Sequence, residues 1–200
     1  MELIFQQQSV KLNSSVSTEE IIKKINNLLD KGYYFSHFIA DGIEVYDEHE
    51  FYLNKNGEHI SRLEIIAKTV EEFVNDLLLS TEEYIERANP DLMILAEEFY
   101  DNPNAATWER LVQLLEGLQW LDEMLLVIGQ SGTVPTNWKA YLTVSAKMQE
   151  NIQTLSEAVE NKDNILIGDI IKYELISVFE NLNNEVKQTI DNEGIRHDLN

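Results

Sequence analysis

From Thr69 almost to its end, the chain repeats apolar residues at helical spacing. That sustained period constrains the fold more than any other feature of the 200 residues. Wound at ~100° per residue, Val70, Phe73, Val74, Leu77, Tyr84 and Ile85 share a face. The same phase runs on through Ala88 and past Pro90 to Leu92, Leu95 and Phe99. An interior proline costs about 3 kcal/mol, so the reading is a helix broken or sharply kinked at Pro90. Asp101-Asn102-Pro103-Asn104 follows as a turn. Further helices are expected over 105–129 and 136–161, the latter striped by Trp138, Tyr141, Ser145, Met148, Ile152, Leu155 and Val159. A last helix carries Ile167, Ile171, Leu175, Val178, Leu182, Val186 and Ile190. Four long helices with short connections predict an antiparallel four-helix bundle over 69–190. The polar segment 191–200 is expected to fray.

Residues 1–68 read differently. Residues 2–12 suit a strand, and Ser17 with Glu20 forms a capping box that opens a short helix. Two aromatic and β-branched runs then flank Asp41-Gly42, a hairpin signal. Residues 51–68 repeat that pattern around Asn56-Gly57. The expected order is β-α-β-β-β-β: a small α+β domain with an antiparallel sheet and one helix. The chain as a whole is therefore expected to be α+β, with domains at 1–68 and 69–190.

Composition narrows the function classes. There is no cysteine, so disulfides, thiol nucleophiles, zinc ribbons and iron–sulfur clusters are excluded. The formal net charge is −21, and residues 70–131 hold 14 acidic residues against only Arg87 and Arg110. Such a surface repels nucleic-acid phosphates and anionic lipid. No secretory leader and no long apolar run is visible, which makes a cytoplasmic protein the expectation. Rich Asn, Ile, Glu and Lys usage suits a bacterium or its phage. Nucleotide-binding glycine loops, the hydrolase nucleophile elbow and the HExxH zinc motif are all missing. A di-iron bundle needs Glu-x-x-His pairs, yet no histidine has a glutamate three residues before it, and the only one after residue 69 is His197. No cofactor is expected. His49 and His59, at the ends of the second hairpin, are the weak metal candidates, beside Asp47, Glu48 and Glu50; solvated hairpin ends are the plainer account.

Two residues of the stretch LEGLQWLDEML stand out on the wheel. Asp122 falls among Leu111, Leu115, Leu118 and Leu125, whereas Trp120 lies near Glu109, Gln113, Glu116 and Glu123, with Val127 seven residues on. A buried carboxylate needs a cation or several donors. Asp122 is therefore read as bonded to a Tyr hydroxyl or to a base from the next helix, with Tyr141 and Tyr173 as plausible donors. A small helix rotation that lets Asp122 reach solvent is a second account. A titrating carboxylate lining a cavity, paired with Glu174, is the third. Trp120 is either covered by the N-terminal sheet or the Pro90 helix, or is an exposed anchor rimmed by Glu116, Glu123 and Val127.

The leading functional expectation is a non-enzymatic protein–protein interaction module with a partner that is basic in some readings: an adaptor, a chaperone-like holder or a homo-oligomerisation unit. An acidic, nucleic-acid-mimicking inhibitor of a basic enzyme is the alternative. An enzyme or cation-binding bundle using inward carboxylates is the third.

Overall fold

Asp41 and Gly42 make the expected tight turn, both with positive φ (48° and 89°), joining β3 (Tyr33–Ala40) to β4 (Ile43–Val45) as antiparallel partners. They belong to a computed structural model that describes residues 1–13, 16–29 and 32–196. The chain divides into two units, Met1–Phe73 and Val74–Asn200, one turn inside a long helix. Phe73 goes with the first because its ring stacks on Tyr34 at 3.9 Å. The whole is α+β: a five-stranded sheet with helices, then a run of long helices.

Three expectations for the first unit need correction. Residues 2–12 form a hairpin, β1 (Glu2–Phe5) and β2 (Gln8–Lys11), rather than one strand. Its two-residue turn puts Gln6 at φ 52°. The second expected hairpin is helix α2 (His49–Asn56) running into a 3₁₀ turn, Gly57–His59. His49, Tyr52, Leu53, Asn56, Gly57 and Ile60 are the positions withdrawn from solvent, which is helical spacing. Gly57 has φ −54°, so Asn56-Gly57 is not a hairpin turn at all. The sheet is also mixed. Its order is β2-β1-β5-β3-β4, with β5 (Arg62–Thr69) antiparallel to β3 and parallel to β1. The order β-α-β-β-β-β therefore gives way to β-β-α-β-β-α-β. Leu3, Phe5, Phe38, Ala40, Leu63 and Ile65 alternate inward from three strands. Ile21, Ile25 and Leu29 of α1 (Thr18–Leu29) and Leu53 of α2 complete that core. Ser17 and Glu20 cap α1 reciprocally, as the sequence predicts.

In the second unit, α3 (Val70–Tyr100) opens on the predicted Thr69–Glu72 capping box. It runs unbroken through Pro90, so of the expected break or kink the break does not occur. Pro90 is exposed, and so is Glu86, whose carbonyl it leaves without a helical partner. Ile85, Leu92, Leu95 and Phe99 are buried on either side. Burying such side chains gains about 1.5–3 kcal/mol each, which outweighs the proline. Asn104 caps α4 (Ala105–Gln130), and α5 covers Trp138–Glu160. The last helix is in three parts: α6 (Asn164–Asp169), a π-helical segment (Ile170–Leu175) and α7 (Ile176–Glu193).

Contacts order these helices antiparallel. Phe99 meets Trp108 and Tyr84 meets Trp120 across α3–α4. Tyr141 reaches Thr189 across α5–α7, while from α3 Glu97 meets Lys172 of the π-helical segment and Glu86 meets Lys187 of α7. The described part of the tail is hydrogen-bonded to α3. Asn75 and Ile195 exchange two hydrogen bonds of 2.9 Å, and Arg196 grips Glu82 at 2.7 Å. His197 and the rest of 197–200 lie outside the described residues. Among the described residues no helix is long and apolar enough to cross a membrane.

Candidate functional site

The buried face of α4 is set by Leu111, Leu114, Leu118, Leu121, Leu125 and Ile128, a spacing of three and four. Its centre lies between Leu114 and Leu118 rather than on Leu115, which is only half-buried. That small rotation carries Asp122 onto the shoulder of the helix, half-buried, the second of the three accounts above. There Gln149 Nε2 on α5 donates to Asp122 Oδ1 at 3.0 Å. The expected tyrosine or basic partner is not the one used. Tyr141 is wholly buried and its hydroxyl lies 2.7 Å from Thr189 Oγ1. Thr189 in turn donates to Asn137 Oδ1 or to the Glu185 carbonyl. Burial pushes the Tyr141 phenol above its ordinary range.

Glu174 is corrected too. It is exposed and pairs with Lys147 at 3.3 Å. Lys147 and Gln149 stand two residues apart, ~200° around α5, so Glu174 and Asp122 attach to opposite flanks of that helix. The cause is the π-helical segment. Its wider i→i+5 turn advances each residue by less than the ~100° of an α-helix. Glu174 therefore lags behind Ile171 and Leu175 and swings out of the core. Tyr173 is also exposed (63%), beside Lys172 rather than inside the bundle.

Trp120 is half-buried, edge-on to the Tyr84 ring of α3 at 5.5 Å. The Pro90 helix thus covers part of it. Glu116 and Glu123 are exposed, Gln119 donating to Glu123, and Val127 sits at the margin of exposure (36%). In the first unit, His49 Nε2 donates to the Val45 carbonyl at 3.0 Å, and its ring meets Phe35 and Phe38. His59 is exposed on the 3₁₀ turn. These residues end a helix rather than a hairpin, and among the described residues no group of three His, Asp or Glu could hold a metal ion.

What the fold does bring together is a groove between α4 and α5, about 410 Å³ in volume. Asp122 and Gln149 close one end. Leu125, Trp138 and Tyr141 form its floor, and Leu126 and Leu142 stand on opposite walls, 59% and 54% exposed. Trp138 stacks on Tyr141 at 5.5 Å, and its ring comes within 3.1 Å of where a Cβ on Gly129 of α4 would stand. Wheel reading found Asp122 and Tyr141 but missed both leucines. The available signal was that each lies one residue off its helix's apolar stripe, with no stripe to explain it.

An α+β chain whose second unit is an antiparallel helical bundle is the class the geometry defines. Residues 76–185 match the family model described as a domain of unknown function, DUF8042, and the chain belongs to that family. The matched span starts within α3 and ends within α7, so the family is defined on the bundle. No curated protein and no solved structure matches the chain.

Proposed function

We propose that the chain is a non-enzymatic protein–protein interaction module of a bacterial cytoplasm, acting as an adaptor, holder or oligomerisation unit. Its contact surface is the α4–α5 groove, and its partner is an apolar-faced segment of a basic protein. The observation that carries this reading is the pair Leu126 and Leu142, held open to water across a groove floored by Trp138. Apolar anchors with a polar rim are how binding surfaces are built. The net charge of −21 favours a basic partner over a second copy of the chain.

The test is capture from native lysate by the wild-type chain and by a Leu126→Ser/Leu142→Ser variant. A basic protein held at low salt by the wild type, released by added salt and lost by a variant with unchanged Tm, supports the reading. Equal capture by both chains, or binding unchanged at about 0.5 M salt, sinks it. Sedimentation of the purified chain decides whether a second copy takes the groove instead.

The nucleic-acid-mimicking reading draws less support. Glu82, Glu86, Glu97 and Glu98, four of the acids that motivate it, are spent on Arg196, Lys187, Lys172 and Arg110. The enzyme reading loses the carboxylate pair it relied on, since Asp122 and Glu174 flank α5 on opposite sides.

A further inference from the structure

A second recess lies on the other side of α4, between it and α3, about 370 Å³ in volume. Small-molecule sites begin at roughly this size. Leu92, Leu95 and Leu114 form an apolar floor, and Arg87 and Arg110 stand at its mouth. These are the only two basic residues between positions 70 and 131, against 14 acidic ones, and both line this cleft. Arg87 is loosely held, 3.8 Å from Glu83 and largely exposed. Arg110 is anchored by Glu98, whose second oxygen accepts from Thr107 Oγ1 at 3.0 Å. A guanidinium has five N–H donors, so the Glu98 contact orients Arg110 and leaves donors for another anion. Asp91 shares the cleft, and Glu83 and Glu98 pair with the two arginines, so an anion would be held by the spare guanidinium donors rather than by an excess of positive charge.

The cleft also has a polar inner end. Tyr84 lines it, and its hydroxyl lies where a Cβ on residue 117 would fall; only Gly117 permits that approach. Gly in a helix interior costs about 1 kcal/mol, so the sequence gives up helix stability to keep the phenol there. Gln113 adds an amide from α4.

We propose that the α3–α4 cleft binds a small amphiphilic monocarboxylate. Its head group is taken by Arg87 and Arg110, and its apolar body by Leu92, Leu95 and Leu114. Spare donors among three carboxylates suit one singly charged carboxylate better than a phosphate dianion, which those carboxylates would repel more strongly. This inference is independent of the proposed partner surface, which lies on the α4–α5 side.

The experiment titrates decanoate into the full chain by calorimetry, with tryptophan emission as a second readout because Trp120 touches Tyr84. Decyltrimethylammonium, below its micelle concentration, is the cationic control. Saturable one-to-one binding of decanoate is expected, weakened about tenfold or more by Arg110→Gln, since a charge-assisted hydrogen bond is lost. Arg87→Gln, at a more exposed position, weakens it severalfold and keeps the test valid if Arg110→Gln unfolds. Ala88→Phe fills the cleft and removes binding. Arg62→Gln, in the first unit, leaves it unchanged. The proposal is overturned if decanoate shows no saturation at millimolar concentration, if the cationic control binds equally well, or if both arginine variants bind as the wild type does.

Discussion

The α3–α7 seam and the α4–α5 seam join neighbouring helices of one bundle, yet they are finished differently. Between α3 and the three-part last helix that ends in α7, Glu97 pairs with Lys172, Tyr100 donates to Asp169, Glu86 pairs with Lys187, and Arg196 and Ile195 tie the tail to Glu82 and Asn75. The α4–α5 seam carries a single side-chain hydrogen bond among the described residues, Gln149 to Asp122, and shows two leucines to water. One seam is closed by polar contacts along its length. The other is held by apolar packing beneath and left open above. That difference is the ground for proposing the α4–α5 seam, rather than its neighbour, as the contact surface.

The sharpest way to break that contrast uses one glycine from each seam. At Gly168, a methyl would stand 2.7 Å from the Tyr100 ring and 3.1 Å from the Ala96 carbonyl, which is backbone and cannot yield. Gly168→Ala is expected to cost about 3 kcal/mol, at the upper end for overpacking. At Gly129, the methyl meets only the Trp138 side chain, at 3.1 Å. Gly129→Ala should cost under about 1 kcal/mol, helped by better helix propensity. Denaturant melts of the two variants measure both. Similar losses would show that the α4–α5 seam is as tightly closed as its neighbour.

Tyr141→Phe comes next in size. It leaves the Thr189 hydroxyl short of a buried partner, an expected loss of about 1–2 kcal/mol by the same melts. The tyrosines also give a pH dependence. Burial and Asp169 raise the Tyr100 phenol, and burial raises Tyr141. A group whose pKa is raised by folding lends its stability in full below the unfolded value of 10.0, and loses it as pH rises through the folded value. Stability is therefore expected to hold up to about pH 10 and fall above it, less steeply in Tyr141→Phe. A flat alkaline profile in the wild type would contradict this.

Smaller effects separate the seams further. Arg196→Gln removes an exposed tie on α3–α7 and should cost about 0.5 kcal/mol, less at high salt. The Leu126→Ser/Leu142→Ser pair should move stability by no more than about 0.5 kcal/mol per site, because neither side chain is buried. A larger fall in Tm would mean that these leucines belong to the core.

Much of the bundle was legible because helical period, caps and turn residues are local. The stripes of α4, α5 and α7, the Thr69–Glu72 box and the Asp41-Gly42 turn all depend on residues within a few positions of one another. The candidate groove was half legible. Asp122 drew notice as a misfit in an apolar pattern and Tyr141 as a stripe residue and possible donor to it, but Leu126 and Leu142 become meaningful only once α4 and α5 are set side by side. Glu174 was misplaced because a wheel assumes constant pitch, and the π-helical segment changes it.

By itself, then, the sequence determined the α+β class, the helical stripes, the strong acidity and the absence of cysteine chemistry, since these follow from composition and short-range spacing. Tertiary structure decided the rest. Leu53 and Ile60 are buried with the sheet's inner face, and that burial makes residues 49–56 a helix where Asn56-Gly57 alone suggests a hairpin. Burial on both sides of Pro90 carries α3 on past a residue that would otherwise end it. In each case a few kcal/mol of long-range burial outweighs a local preference of about 1–3 kcal/mol, and no local reading can weigh contacts it cannot see.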